Sequence, residues 1–188
     1  MAHAGVLITV ARGIVKALAV LALVAVTAWA VVAIKAFHYP EVDAWADTDA
    51  YYTLHSGGGV GAVNRVEQWL PPGKPLLVSV PDDELQADPY GSVCGDPALN
   101  VICVAPHPES TRGEARNLGR IARERGWQSV TVISQRSHMT RARLLMERCY
   151  DGEIRMFPRD VNRGIIGSAR VLVYESGAMA KAWLVAEC

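Results

Sequence analysis

The chain has 188 residues, and its 19 basic side chains are matched by 19 acidic ones. Three of the basic residues, Arg12, Lys16 and Lys35, lie in or beside one apolar run near the N-terminus, so the rest of the chain is mildly acidic. Proteins that bind nucleic acid usually present a basic face, and we therefore predict no nucleic-acid partner.

The first predicted element is this apolar run, Ala17–Ile34, whose only polar residue is a threonine. A helix of this length spans about 27 Å, close to the ~30 Å hydrocarbon layer of a membrane. Arg12 and Lys16 precede the run, and the first acidic residue is Glu41. Basic residues beside a membrane-spanning helix favour the cytoplasmic side. We therefore expect residues 1–38 to form a single-pass anchor in the cytoplasmic membrane, with the remaining chain outside the cytoplasm.

A cleaved signal peptide is the alternative interpretation of the same segment. Ala28-Trp29-Ala30 has the small-residue pattern of a cleavage site. The apolar core of a signal peptide usually runs about 7–15 residues, however, and this run is longer. We favour an uncleaved anchor, followed by a linker at residues 39–48 and one extracytoplasmic domain at residues 49–188.

After the linker, strand-like and helix-like segments alternate. Short apolar runs predict strands at residues 50–55, 75–80, 101–104, 130–134 and 153–157. Apolar residues at helical spacing predict helices at residues 59–70, 111–126, 139–148 and 165–185. This alternation is typical of a parallel sheet with helices on both faces. The predicted fold class is therefore α/β.

The four cysteines fit an oxidising compartment. Cys94 and Cys103 bracket a turn-rich loop, and their nearness favours a bridge between them among the three possible pairings. Cys149 and Cys188 could pair with each other or stay free. A zinc site is the weaker alternative, since the sequence has no Cys-x-x-Cys or His-x-x-x-His spacing, and we predict no metal.

The stretch from Ser134 to Arg143 follows the fourth predicted strand and opens a helix. In parallel α/β sheets the ligand crevice lies beyond the carboxyl ends of the strands. His138 and Arg141, one helical turn apart, could present an acid/base group together with an anion clamp at that position. A solvated basic helix start is the alternative interpretation.

A glycine-rich loop is expected at the same edge of the sheet. Gly57, Gly58 and Gly59 follow the first strand, and backbone N–H groups of such a loop can bind an anion where a helix begins. A tight strand-to-helix turn explains the glycines equally well. Arg65, in the following helix, could reach the same anion or lie on the surface.

The loop before the helix at residue 111 is the third at this edge. Ser110 or Thr111 is a natural N-cap, and Thr111 with Glu114 has the Ser/Thr-x-x-Glu spacing of a capping box. A capping box stabilises a helix start without any further function, so this spacing alone does not identify a site.

Three blocks of the sequence together resemble the SanA/ElyC/YdcF-like envelope proteins. They are Asp49-Ala50 with the glycine loop and Arg65, then Ser110–Ala115, then Ser134–Ala142, in the family's order and over roughly residues 49–184. The resemblance implies a Rossmann-like three-layer domain with a mostly parallel five-stranded sheet, preceded by one N-terminal transmembrane helix. It also implies a location outside the cytoplasmic membrane and a role in cell-envelope biogenesis or barrier function.

The motifs of this family imply a pocket rather than a defined reaction. In this chain the arginines and glycine amides would bind an anion, while a Glu114–His138 pair would do general acid–base work on a phosphate or pyrophosphate ester. The catalytic candidates are His138 and Glu114, and the binding candidates are Gly57, Gly58, Gly59, Arg65, Thr111 and Arg141. No particular cofactor is implied.

One loop departs from the family pattern. The second strand usually ends in Ser-Gly-Gly, whereas this chain has Ser79-Val80-Pro81. Two alternatives therefore stay open: a ligand-binding protein without catalysis, and a structural envelope protein whose pocket has degraded.

Overall fold

The computed structural model describes residues 2–55, 70–85, 93–94, 96 and 99–188, with side chains from residue 11 onward. Its helices are α1 (Ala2–Phe37), α2 (Thr111–Arg125), α3 (Met139–Cys149) and α4 (Gly164–Leu184). Its strands are β1 (Ala50–Thr53), β2 (Leu76–Ser79), β3 (Val101–Val104), β4 (Ser129–Gln135) and β5 (Glu153–Arg159). A 3₁₀ turn, Arg136–His138, joins β4 to α3. All five predicted strands and the last three predicted helices are confirmed.

The five strands form one sheet in the order β3-β2-β1-β4-β5, and every pair of neighbours is parallel. This confirms the Rossmann-like α/β fold. The chain builds the sheet outward from β1 to β3 and then returns to the other side of β1 to add β4. A ligand crevice is expected at this switch point, beyond the carboxyl ends of β1 and β4.

Both faces of the sheet are covered, so β1 is buried along its whole length. Tyr52 packs on one face in the cluster that includes Leu118 and Met146 of α2 and α3. Tyr51 points to the other face, where it stacks on Trp45 with ring centroids 5.0 Å apart. The predicted helix at residues 59–70 lies, except for its last residue, outside the described residues.

Helix α1 has 36 residues and is therefore about 54 Å long. Its segment Ala11–Phe37 is long and apolar enough to cross a membrane, as either an anchor or a signal sequence would be. The last turns pack on the domain: Ala33 and Phe37 are buried, and the Thr140 hydroxyl donates to the Ala36 carbonyl. The helix thus reaches the domain beside the start of α3, at the carboxyl edge of the sheet.

The segment at residues 39–48, expected as a linker, packs along the sheet. Asp43 Oδ2 accepts hydrogen bonds from the Arg143 side chain at 2.6 Å and from the Met156 backbone N–H at 2.7 Å. Further on, Asp49 Oδ2 accepts from the backbone N–H groups of Gln128 and Ser129, just before and at the start of β4. The chain therefore runs from the carboxyl edge, where α1 ends, to the amino edge, where β1 begins.

The predicted bridge between Cys94 and Cys103 is present, and Cys149 pairs with Cys188. The second bridge ties the tail after α4 to the end of α3. Arginines strengthen this attachment: Arg112 donates to the carbonyl groups of Val185 and Glu187 at 2.7 Å each. These contacts hold the C-terminal half of α4 against α2 and α3.

Candidate functional site

A cavity of about 720 Å³ opens at the carboxyl edge of the sheet. The cavity is lined by residues at or after the ends of four different strands, by the first turn of α2 and by one face of α4. The lining includes His55, Pro81, Pro106, Gln135, Thr111, Glu114, His138, Arg141, Tyr174, Glu175 and Lys181. Its size is that of a small-molecule site, and it lies where the strand order predicts a crevice.

The start of α2 forms one wall of this cavity. Ser110 is the N-cap, and its hydroxyl accepts from the Gly113 backbone N–H at 3.3 Å. The predicted capping box of Thr111 and Glu114 is therefore wrong, because the cap lies one residue earlier. Thr111 and Glu114 therefore do not form the cap, and both line the cavity. Gly113 permits this turn, since a Cβ there would lie 2.0 Å from the Pro108 carbonyl oxygen.

Glu114 is a buried acid in this wall, with only 4 % of its surface exposed. Its Oε1 accepts the His55 backbone N–H at 2.7 Å. Burial raises the pKa of Glu114 to about 7, because the His55 N–H and the Arg141 charge offset the loss of hydration only in part. A carboxyl group with this pKa can both donate and accept a proton near neutral pH.

His138 lies between a hydroxyl group and a carboxylate. Its Nε2 is 3.2 Å from Thr111 Oγ1, and its Nδ1 is 3.5 Å from Glu175 Oε1. Arg141 donates to the same Thr111 oxygen at 3.1 Å, so the threonine proton is free to point at Nε2 and the ring proton then lies on Nδ1. Burial lowers the pKa of His138, which keeps the imidazole neutral.

Arg141 and Glu175 form a buried ion pair across the cavity wall. Arg141 donates from Nε at 2.7 Å and from Nη2 at 3.1 Å to the two carboxylate oxygens. Burial alone would raise the pKa of Glu175, but hydrogen bonds and charge from His138 and Arg141 outweigh it and lower the pKa to about 2. Glu175 is thus always ionised near neutral pH, while Glu114 titrates there, and the two carboxyl groups have separate roles.

The structure brings together four of the predicted site residues: Thr111, Glu114, His138 and Arg141. The other four, Gly57, Gly58, Gly59 and Arg65, lie outside the described residues. Arg136, which precedes the histidine, instead pairs with Asp160 at the surface. A basic helix start therefore accounts for Arg136, whereas Arg141 belongs to the cavity.

Sequence reasoning missed Glu175, which is the carboxylate nearest His138 in the hydrogen-bond network described above. Glu114, predicted for that position, accepts the His55 backbone N–H instead, whereas Thr111 and Glu175 are the groups beside the two imidazole nitrogens. A signal for Glu175 exists, since it is the only acidic residue in the 21-residue helix α4. A single carboxylate in a helix that packs on a domain needs a charged partner if it is buried.

In the part of the chain that the structure describes, no group of three or more His, Cys, Asp or Glu side chains could hold a metal ion. No protein-family model, curated protein or solved structure matches the chain. The chemistry of this cavity is therefore inferred from its geometry.

Proposed function

We propose that the chain is a membrane-anchored, extracytoplasmic YdcF-like protein of cell-envelope biogenesis or barrier function. Its cavity binds a phosphate- or pyrophosphate-containing envelope metabolite, and Glu114 and His138 carry out general acid–base chemistry on that ligand. The observation that carries this proposal is the convergence of a titrating acid, a neutral imidazole and the start of α2 in one cavity.

The start of α2 supports an anionic ligand. The first backbone N–H groups of a helix lack intrahelical partners and favour negative charge. The Ser110 hydroxyl uses the N–H of Gly113, and Glu114 N–H is bonded to the Ser110 carbonyl. Among the described residues, the N–H groups of Thr111 and Arg112 have no hydrogen-bond partner, and both residues line the cavity. Lys181, on the opposite wall, adds a positive charge.

The two titratable groups have complementary protonation states. Neutral His138 can accept a proton from the attacking group, with Glu175 stabilising the imidazolium that forms. Glu114, which is partly protonated near neutral pH, can donate a proton to the leaving oxygen. The α2 amides and Arg141 would stabilise the charge that develops on the phosphoryl oxygens. One group that accepts a proton and another that donates one fit hydrolysis or transfer at a phosphate ester.

Three features support the anchored, outward-facing topology. The flank of Arg12 and Lys16 favours a cytoplasmic N-terminus, and two disulfides suit an oxidising compartment. Trp29 Nε1 donates to Ser176 Oγ at 3.2 Å, a contact between α1 and α4 that cleavage after Ala30 would remove. We therefore propose that α1 stays attached as a single-pass anchor.

A second candidate is a ligand-binding or structural envelope protein without turnover. Two observations favour it. Glu175 neutralises Arg141 and thereby weakens its attraction for a ligand anion. The loop that departs from the family pattern brings Pro81 to the cavity, and proline has no backbone N–H to donate to an anion.

Turnover by the full-length chain in phospholipid nanodiscs separates the two candidates. We expect wild-type protein to release phosphate from at least one member of a panel of phosphate and pyrophosphate esters. His138→Ala and Glu114→Gln should each lower kcat about 10²–10⁴-fold, the usual contribution of an acid–base group. Arg136→Ala, which alters the surface pair beside the histidine, is the matched control and should keep wild-type activity.

Two results would contradict the enzymatic proposal. Binding of a panel member without any phosphate release would favour the second candidate. Full activity in both the His138 and the Glu114 variants would show that these residues do not carry the chemistry.

A further inference from the structure

Helix α4 has an inner face that packs on the domain and an outer face whose side chains are exposed in the described structure. Glu175 on the inner face is 5 % exposed, whereas Ile165 and Leu184 on the outer face are 90 % and 86 % exposed. At about 100° per residue, the outer face is one apolar strip of Ile165, Ala169, Val173, Gly177, Ala180 and Leu184, all exposed. A continuous apolar strip of this kind marks an interaction surface.

The position of α4 along the axis of α1 indicates that the partner of this strip is the membrane. The apolar run Ala17–Ile34 needs its whole length of about 27 Å to cross a hydrocarbon layer while Arg12 and Lys16 stay at the opposite surface. Trp29 lies five residues before the end of that run, about 7 Å along the helix axis. Because Trp29 is hydrogen-bonded to Ser176, the middle of α4 lies at the same depth.

The side chains that flank the strip fit the surface of a bilayer. Arg170, Tyr174 and Lys181 follow the strip around the helix, and Tyr174 and Lys181 also line the cavity. Lysine and arginine can extend their charged ends from an apolar layer to the headgroups, and tyrosine and tryptophan favour the same level. Trp183, 68 % exposed, lies at the far end of the strip.

We infer that α4 is an interfacial helix, whose outer face lies in the headgroup–acyl boundary of the membrane that α1 crosses. A depth of about 7 Å is within the ~5–10 Å typical of such helices. Because α1 joins the domain at the carboxyl edge of the sheet, the cavity then opens toward the membrane at the level of the headgroups. This inference rests on the proposed anchoring through α1.

Site-specific photocrosslinking of the full-length chain tests the inference. The photoreactive residue p-benzoylphenylalanine is placed at Val173 or Ala180 on the outer face of α4, at Val24 in α1, or at Arg120 on the exposed side of α2, in vesicles of phosphatidylglycerol and phosphatidylethanolamine. We expect lipid adducts at Val24, Val173 and Ala180, at least about tenfold above those at Arg120, as burial of an apolar face in the boundary requires.

Each other outcome overturns the inference in a distinguishable way. Lipid adducts at Val24 with none above the Arg120 level at Val173 and Ala180 would leave the anchor intact and place α4 in water. Crosslinks from Val173 to a second copy of the chain would make the strip a dimer interface. Absence of lipid adducts at Val24 as well would contradict the anchor itself, and the inference about α4 with it.

Discussion

Replacing Glu175 by alanine should lower the free energy of unfolding by about 3–5 kcal/mol, the cost of leaving one partner of a buried ion pair alone. The side chains of Arg141 and Glu175 are only 12 % and 6 % exposed. Without the carboxylate, the guanidinium keeps one hydrogen bond to Thr111 and the face of the Tyr174 ring, 6.0 Å away. Neither contact compensates its charge.

Chemical denaturation of two further variants shows whether this loss comes from the unpaired charge. The double variant Arg141→Met with Glu175→Leu replaces the pair by apolar side chains and should unfold within about 1 kcal/mol of wild type. Glu124→Ala removes one partner of the exposed pair with Arg120 and should cost less than about 0.5 kcal/mol. A Glu175→Ala loss as small as that of Glu124→Ala would contradict the buried pair.

Glu114 should make the protein less stable as the pH rises. Its pKa is raised from 4.5 to about 7 in the folded state, so the folded chain holds a proton that the unfolded chain has released. The stabilising contribution is therefore complete below about pH 4.5 and is lost as the pH rises through 7, a change of about 3 kcal/mol. Glu114→Gln cannot release a proton and should be more stable than wild type at about pH 8.

The difference in the free energy of unfolding between wild type and Glu114→Gln, measured across pH, separates the effect of Glu114 from those of His138 and Glu175. The lowered pKa of His138 acts in the opposite sense, since its contribution is lost as the pH falls below 6.5. The contribution of Glu175 is lost only as the pH falls from 4.5 toward 2. Both groups are present in the two proteins, so their effects cancel. A difference that is independent of pH between about 5 and 8 would contradict the raised pKa of Glu114.

The fold, and the convergence of four of the site candidates in one cavity, could be predicted because they follow from local pattern. Short apolar runs between helical segments predict a parallel sheet, and parallel strands bring their carboxyl ends to one edge. His138 and Thr111 follow different strands, and they meet 3.2 Å apart for that reason. No contact between distant helices was needed to place them.

The remaining features depend on tertiary packing. Glu175 belongs to α4, 34 residues after Arg141, and only the docking of α4 across the crevice brings the two side chains together. Adjacent Ser110 and Thr111 are both preferred N-cap residues, and only Thr111 has a glutamate at the capping-box spacing, so the sequence could not decide which one caps α2. That one-residue difference determines whether Glu114 supports a helix start or lines a cavity.

Titration calorimetry of the full-length chain with inorganic pyrophosphate at about pH 7 tests the central claim, that this cavity is an anion site with a titrating acid. An anion beside Glu114 raises the carboxyl pKa further. Because a group with a pKa of about 7 is already half protonated at pH 7, we predict binding with uptake of up to about half a proton, measured from the heats in two buffers of different ionisation enthalpy. Glu114→Gln should bind without that additional uptake. No binding by wild type, or the same proton uptake in both proteins, would contradict the claim.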